Sequence, residues 1–107
     1  MTYVIDIDGT ICEKSENGDY HNTAPYTDRI EKINSLYEEG HEIIYMTARG
    51  MGRSNNNPHA AIQEFYMFTA LQLVDWGCKY HHLFLGKPAG DFYIDDKGLN
   101  SEDFFTN

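Results

Sequence analysis

Short apolar runs alternate with helix-length segments along this chain, and that alternation limits what it can fold into. The runs are Tyr3-Val4-Ile5 with Ile7, Glu42-Ile43-Ile44-Tyr45-Met46, His82-Leu83-Phe84-Leu85 and Phe92-Tyr93-Ile94. Each is short, rich in β-branched or aromatic residues, and reads as a strand. Between the first two, a helix is expected from residue 26 or 27 to 39. Pro25 and Thr27 mark its start, Ile30, Ile33, Asn34 and Tyr37 share one side with Leu36 flanking, and Gly40 stops it. A second helix is expected from Pro58 to Trp76, with Ile62, Phe65, Tyr66, Thr69, Leu73 and Trp76 on one stripe and Gly77 at the stop. Ser101 followed by Glu102, Asp103, Phe104 and Phe105 predicts one last helical turn. The order strand, helix, strand, helix, strand, strand implies an open, mainly parallel sheet with right-handed crossovers.

At 107 residues the chain has room for one domain, residues 1–107, and none for a second. Its formal charge of −9 would repel a nucleic-acid backbone from most of the surface, which argues against that class of partner. Cys12 and Cys78 form no CxxC pair and are too few for a disulfide scaffold, so a reducing compartment is expected. No apolar run approaches the roughly 18 residues needed to span a bilayer, and no basic segment followed by an apolar one opens the chain. Together these predict a cytoplasmic protein without a membrane partner.

In open parallel sheets a binding site lies beyond the carboxyl ends of the strands. Four polar motifs sit just there: Asp6-Ile7-Asp8-Gly9-Thr10, Thr47-Ala48-Arg49, Gly86-Lys87-Pro88 and Asp95-Asp96-Lys97. Residues i and i+2 of a strand share a face, about 6.6 Å apart in rise, so Asp6 and Asp8 make a paired-carboxylate site. Gly9 permits a sharp turn that brings backbone N–H groups to an anion, and Thr10 adds a hydroxyl. Alone, the first motif also fits an Asp-Gly hairpin turn, Thr47 a strand-end turn residue, and Lys87 a solvated lysine. Their joint order is what carries weight.

In these motifs the sequence resembles the haloacid dehalogenase superfamily of phosphohydrolases, over nearly the whole chain. The resemblance implies a compact Rossmann-like α/β fold, a three-layer sandwich with a mainly parallel sheet. It also implies that Asp6 attacks phosphorus to form an aspartyl-phosphate and that Asp8 serves as general acid and then base. Gly9, Thr10, Thr47, Ala48 and Lys87 would hold the phosphoryl group. Asp6, Asp8 through its backbone carbonyl, and Asp95 would bind magnesium (Mg2+), with Asp96 ligating through water or orienting Lys87. Within the superfamily, the short chain, the Thr47-Ala48-Arg49-Gly50 motif, Gly86-Lys87-Pro88 and the ending Phe92-Tyr93-Ile94-Asp95-Asp96-Lys97 look like small capless phosphatases associated with capsular polysaccharide biosynthesis. That narrower resemblance implies a small phosphorylated substrate: a sugar, polyol or amine phosphate.

The chemistry also stands on its own terms. An aspartate with a reference pKa of about 3.9 is ionised at neutral pH and needs no base to become a nucleophile. Like charges 4 Å apart repel by about 4 kcal/mol at an effective dielectric of 20, so clustered carboxylates facing a phosphate require cations. Lys87 and magnesium meet that requirement, and hard oxygen donors suit magnesium better than zinc. Arg49 is the first candidate for substrate contact because a guanidinium clamps anionic or carbonyl groups, and His21 and His59 are further candidates since both flank loops near the site.

Larger superfamily members insert a cap domain, but here one loop, one helix and one strand fill each interval where a cap would enter. Water exclusion then falls to a flap at residues 11–23, to the loop at 50–57, or to a neighbouring subunit. Met67, Phe68, Leu71 and Val74 widen the apolar stripe of the second helix beyond one face, which favours a homo-oligomer. Two other functions fit less well. The arrangement also resembles the phosphatase half of phage polynucleotide kinases, a 3′-phosphatase role that the acidic charge opposes. A non-catalytic interaction subunit is opposed by the full set of expected catalytic residue types.

Overall fold

The computed structural model describes residues 1–15 and 18–106; Glu16 and Asn17, which fall within the expected flap, and Asn107 lie outside the described residues. Three strands form, β1 (Thr2–Ile5), β2 (Glu42–Thr47) and β3 (His82–Leu85), with helices α1 (Thr27–Glu38), α2 (Pro58–Asp75) and α3 (Ser101–Phe105). The sheet is parallel in the order β1-β2-β3, with Thr2 opposite Glu42 and Thr47 opposite Leu85. Parallel neighbours need a long crossover, and α1 and α2 are those two connections. The expected Rossmann-like α/β architecture is present, with no cap domain.

Local chemistry explains the helix limits. Asn57 caps α2 through its side chain, which accepts from the backbone N–H of His59 and Ala60, and Pro58 occupies the first turn, where its missing N–H costs nothing. After α1 the chain reverses at Gly40, whose φ of +95° a side chain would strain. Ile5 and Ile7 after it, with Ile43, Tyr45, Leu83 and Leu85, are buried, and Ile30, Ile33 and Leu73 from the two long helices pack among them. This single core fixes β1 and β2 side by side, so their carboxyl ends are adjacent.

Two expectations are corrected. On α2 the buried residues are Ala61, Thr69 and Leu73, while Ile62 and Tyr66 from the expected stripe are exposed along with Met67, Leu71 and Val74. Thr69 and Leu73 of the expected stripe do turn inward, and Phe65 and Trp76 pack partly buried against the core, so the stripe is displaced at one edge rather than lost. The expected fourth strand at Phe92-Tyr93-Ile94 does not form: residues 88–100 are exposed and irregular. Its residue types suit a strand, but only residues 86–91 separate it from β3, too few for a parallel return crossover of a dozen or more.

Cys12 is buried in the core and Cys78 packs against it, partly buried. Burial pushes Cys12 up to about 12 and Cys78 up to about 11, from an ordinary value near 9. Because only the thiolate reacts, alkylation by iodoacetamide at pH 8 is expected to be more than about tenfold slower in the native protein than in urea. Equal rates in the two conditions would contradict this burial.

Candidate active site

The carboxyl end of β1 supplies the first side chains. Ile7 is fully buried, and the chain turns immediately after it: the N–H groups of Thr10 and Ile11 both donate to the Ile7 carbonyl, at 3.0 and 2.9 Å, and Gly9 N–H donates to the Cys12 carbonyl at 2.9 Å. Gly9 adopts a φ of +79° to make that turn. With Ile7 held in the core, Asp6 and Asp8 on either side of it face the cavity. From β2 come Thr47, Ala48 and Arg49. The chain beyond β3 is joined to them by a hydrogen bond from the Lys87 N–H to the Thr47 carbonyl at 3.2 Å.

These residues line a cavity of about 300 Å³. The Lys87 ammonium lies 3.6 Å from Asp6 Oδ1, and the Thr10 hydroxyl donates to Asp6 Oδ2 at 3.4 Å. Burial raises the Asp6 pKa above its ordinary value, with the nearby Asp8 charge adding to the rise; Lys87 and the hydrogen bonds of Ile7 N–H and Thr10 oppose it. Thr47 is buried, and its hydroxyl oxygen accepts from the Arg49 N–H at 3.1 Å. Lys14 and Tyr20 from the flap and Tyr93 also line the cavity. Sequence reasoning placed the flap there but singled out none of these three, because nothing in their spacing distinguishes them from surface residues. Tyr93 is anchored by donating its hydroxyl proton to the Pro88 carbonyl at 2.7 Å, and its ring lies 4.3 Å from Lys87 Nζ.

Arg49 lines the cavity, as expected, and is held tightly by the protein. Its side chain is fully buried. Nε and Nη2 donate to the two Asp8 carboxylate oxygens at 2.9 and 3.0 Å, while Nη1 donates to Gln72 Oε1 at 2.6 Å and Thr69 Oγ1 at 3.3 Å. The Tyr20 ring covers the guanidinium at 4.6 Å, and Gln72 in turn donates to the Tyr20 carbonyl at 2.8 Å. At the cavity wall these donors are thus engaged by the protein. It orients Asp8 and ties it to α2 and the flap.

The other candidates divide. His21 stacks against Phe68 at 4.3 Å and lines a second cavity of about 360 Å³ that shares Tyr20 with the first. His59 lies in the first turn of α2 and lines neither cavity. Asp95 and Asp96 are exposed and do not line the Asp6 cavity. Asp95 instead accepts the backbone N–H of Lys97 at 2.8 Å and that of Gly98, and these bonds lower its pKa from the ordinary carboxylate value.

Among the described residues no group of three or more His, Cys, Asp or Glu side chains is gathered. Of the expected magnesium set, Asp6 and Asp8 line the cavity and Asp95 and Asp96 do not. Arg49 engages the Asp8 carboxylate, not the backbone carbonyl that the family resemblance implies as a magnesium donor.

No family model and no curated protein matches the chain. Among solved structures, the crystal structure of a structural-genomics target from Vibrio cholerae is similar, with a TM-score of 0.89 and 28% identity. The match covers 99% of this chain and 88% of that one, so it takes in residues 88–100 as well as the sheet.

The unequal exposure of the Asp8–Arg49 pair sets the direction of two mutations. Asp8→Ala strands a guanidinium that is fully buried, and the expected loss is about 3–5 kcal/mol. Arg49→Met leaves a carboxylate whose side chain is 21% exposed and reachable by water, so the loss should be smaller. Urea unfolding of both variants checks the order, and the reverse order would overturn it. Asp6 gives a pH signature. Its folded pKa is raised, so the fold binds its proton more tightly, and stability falls as pH rises from below 3.8 through the folded value. Asp6→Asn should therefore raise the thermal midpoint at neutral pH in chelator, with the gain vanishing below the unfolded pKa.

Proposed function

We propose that this protein hydrolyses a small phosphomonoester through an aspartyl-phosphate formed on Asp6. The observation that carries this reading is the placement of Asp6 at the end of β1, with the Lys87 ammonium 3.6 Å from its carboxylate, in a cavity that Thr47 and Ala48 also line. An ionised carboxylate repels an anionic substrate, and a cation beside it offsets that repulsion where the phosphoryl oxygens would rest. An Asp6 oxygen attacks phosphorus, the bond from phosphorus to the ester oxygen breaks, and the leaving alkoxide takes a proton. Water then attacks the phosphorus of the aspartyl-phosphate, losing a proton as Asp6 is released with inorganic phosphate.

Asp8 is the proton-transfer group in this scheme. Held by two Arg49 donors, it is an acceptor and suits the second half-reaction, taking the proton of the attacking water. Giving a proton to the leaving group in the first half requires it to release one of those donors. Tyr20, stacked on Arg49 and lining the cavity, places the flap where substrate entry would perturb this pair. Magnesium, implied by the family resemblance, would be held by Asp6 and the Asp8 backbone carbonyl with Asp95 brought beside them, and would offset the charge of the phosphoryl oxygens; no step above depends on it.

The substrate class is a small phosphorylated metabolite, in keeping with a cavity of about 300 Å³ and the −9 charge. Self-association is part of the proposal: Met67, Leu71 and Val74 on α2 are 61–69% exposed, a run of apolar surface unusual for a monomer.

A panel of phosphorylated sugars, polyols and amines, assayed for phosphate release with magnesium, tests the reading. Asp6→Asn should abolish turnover, and Lys87→Met should lower kcat by about 10²-fold or more. Full activity in Asp6→Asn would sink the proposal. A 3′-phosphorylated oligonucleotide hydrolysed better than every metabolite, with steep salt dependence, would instead support polynucleotide end repair.

A further inference from the structure

Residues 88–100 form an exposed arm that carries an apolar run, Phe92-Tyr93-Ile94, between polar neighbours. Phe92, Tyr93 and Ile94 are all exposed, at 85%, 55% and 95%. Tyr93 turns back onto its own Lys87 while Phe92 and Ile94 turn out. Strand β1 lies at the edge of the sheet, so one row of its backbone N–H and C=O groups has no strand beside it. An unpaired strand-like segment and an unpaired sheet edge thus occur in the same chain.

The arm cannot close in parallel on its own β1. Its start is held at the site end of the sheet, where Lys87 N–H donates to the Thr47 carbonyl at 3.2 Å and Ala89 N–H to Asn56 Oδ1 at 2.9 Å. From Ala89 to Phe92 the backbone reaches at most about 11 Å. A strand parallel to β1 must start at the opposite end of the sheet, about 13 Å away along the strand and roughly 10 Å to the side. The chain is too short even along a straight line through the protein. Its far end is held too: Arg29 pairs with Glu102 at 2.9 Å and Lys32 Nζ donates to the Phe104 carbonyl at 2.7 Å. Only the parallel direction would carry Asp95 to the end of β1 where Asp6 lies.

No such length limit applies to the β1 of another molecule. We propose that two copies of this chain exchange their arms, residues 92–94 of each pairing in parallel with the free edge of β1 in the other, and that Asp95 thereby enters the partner's Asp6 site. The exchange is mutual and closes with two-fold symmetry. It covers Phe92 and Ile94, and it accounts for the gap in the site: two carboxylates come from one copy and the third from its neighbour. Asp6 and Asp95 together offer oxygen donors for a hard divalent cation that neither copy gathers alone. The role of Asp95 rests on the phosphohydrolase reading, whereas the pairing of the arm does not.

Sedimentation of the full chain at tens of micromolar, with and without magnesium, should show a dimer or a multiple of it. Ile94→Asp should weaken self-association at least tenfold while the circular dichroism and thermal midpoint of the protomer are retained, since Ile94 touches little in its own chain. A wild-type monomer, or an Ile94→Asp oligomer as tight as the parent, overturns the exchange. Mixing Val4→Cys with Tyr93→Cys chains under oxidation should give a disulfide between the unlike chains, and its absence also counts against the pairing. For the site, Asp6→Asn and Asp95→Asn chains, each inactive alone, should recover about one quarter of wild-type activity when unfolded and refolded together, because one site in a mixed pair is intact. No recovery, with each variant inactive alone and the wild type active, places Asp95 in its own chain's site or outside the chemistry. If the wild type itself releases no phosphate, the proposed function fails, and sedimentation and cross-linking still decide the exchange.

Discussion

The buried pair between Asp8 and Arg49 is the contact on which the site depends. A guanidinium with no solvent access must have its donors satisfied, and Arg49 meets that demand with Asp8, Gln72 and Thr69 beneath the Tyr20 ring. The end of β1, the end of β2, the middle of α2 and the flap therefore converge on one side chain. The pair also gives the two neighbouring aspartates different surroundings. Asp8 is held by a charge, whereas Asp6 faces the cavity with Lys87 and the Thr10 hydroxyl. Two carboxylates with unlike partners can take unlike chemical roles, which is what a nucleophile and a proton-transfer group require.

A second constraint is the amount of chain. Crossovers α1 and α2 consume most of the length, and the short connection after β3 leaves no material to bring another parallel strand home. The protein is thus left with an open sheet edge at β1, an exposed arm with strand chemistry and an α2 helix apolar on its outer side. Each is a cost for an isolated small domain. The proposed association of copies would remove these costs, and through the arm it would also bear on the site.

Much of the fold was legible in residue patterns because local preference and tertiary packing agree. The β-branched run of β2 and the cap formed by Asn57 and Pro58 lead to the same elements in both. Phe92-Tyr93-Ile94 shows where that agreement ends. Its composition favours a strand, but a strand exists only beside another, and reaching β1 depends on connection length rather than propensity. The inward face of α2 was legible in part: Thr69 and Leu73 belong to the expected stripe, whereas Ile62 and Tyr66 turn outward because apolar residues on several sides left the edge of that stripe unmarked.

For the site, the sequence by itself determined the residue types and their positions at strand ends, since a parallel sheet sends every carboxyl-terminal loop to one edge. That was enough to bring Asp6, Asp8, Thr47, Ala48 and Lys87 to one cavity. Only the tertiary structure decided that Arg49 faces Asp8 and that Asp95 stays outside. The first depends on burial, because a side chain's partner is set by what surrounds it once water is excluded. The second depends on distance along the chain, because Asp95 follows a segment that cannot reach its own sheet edge.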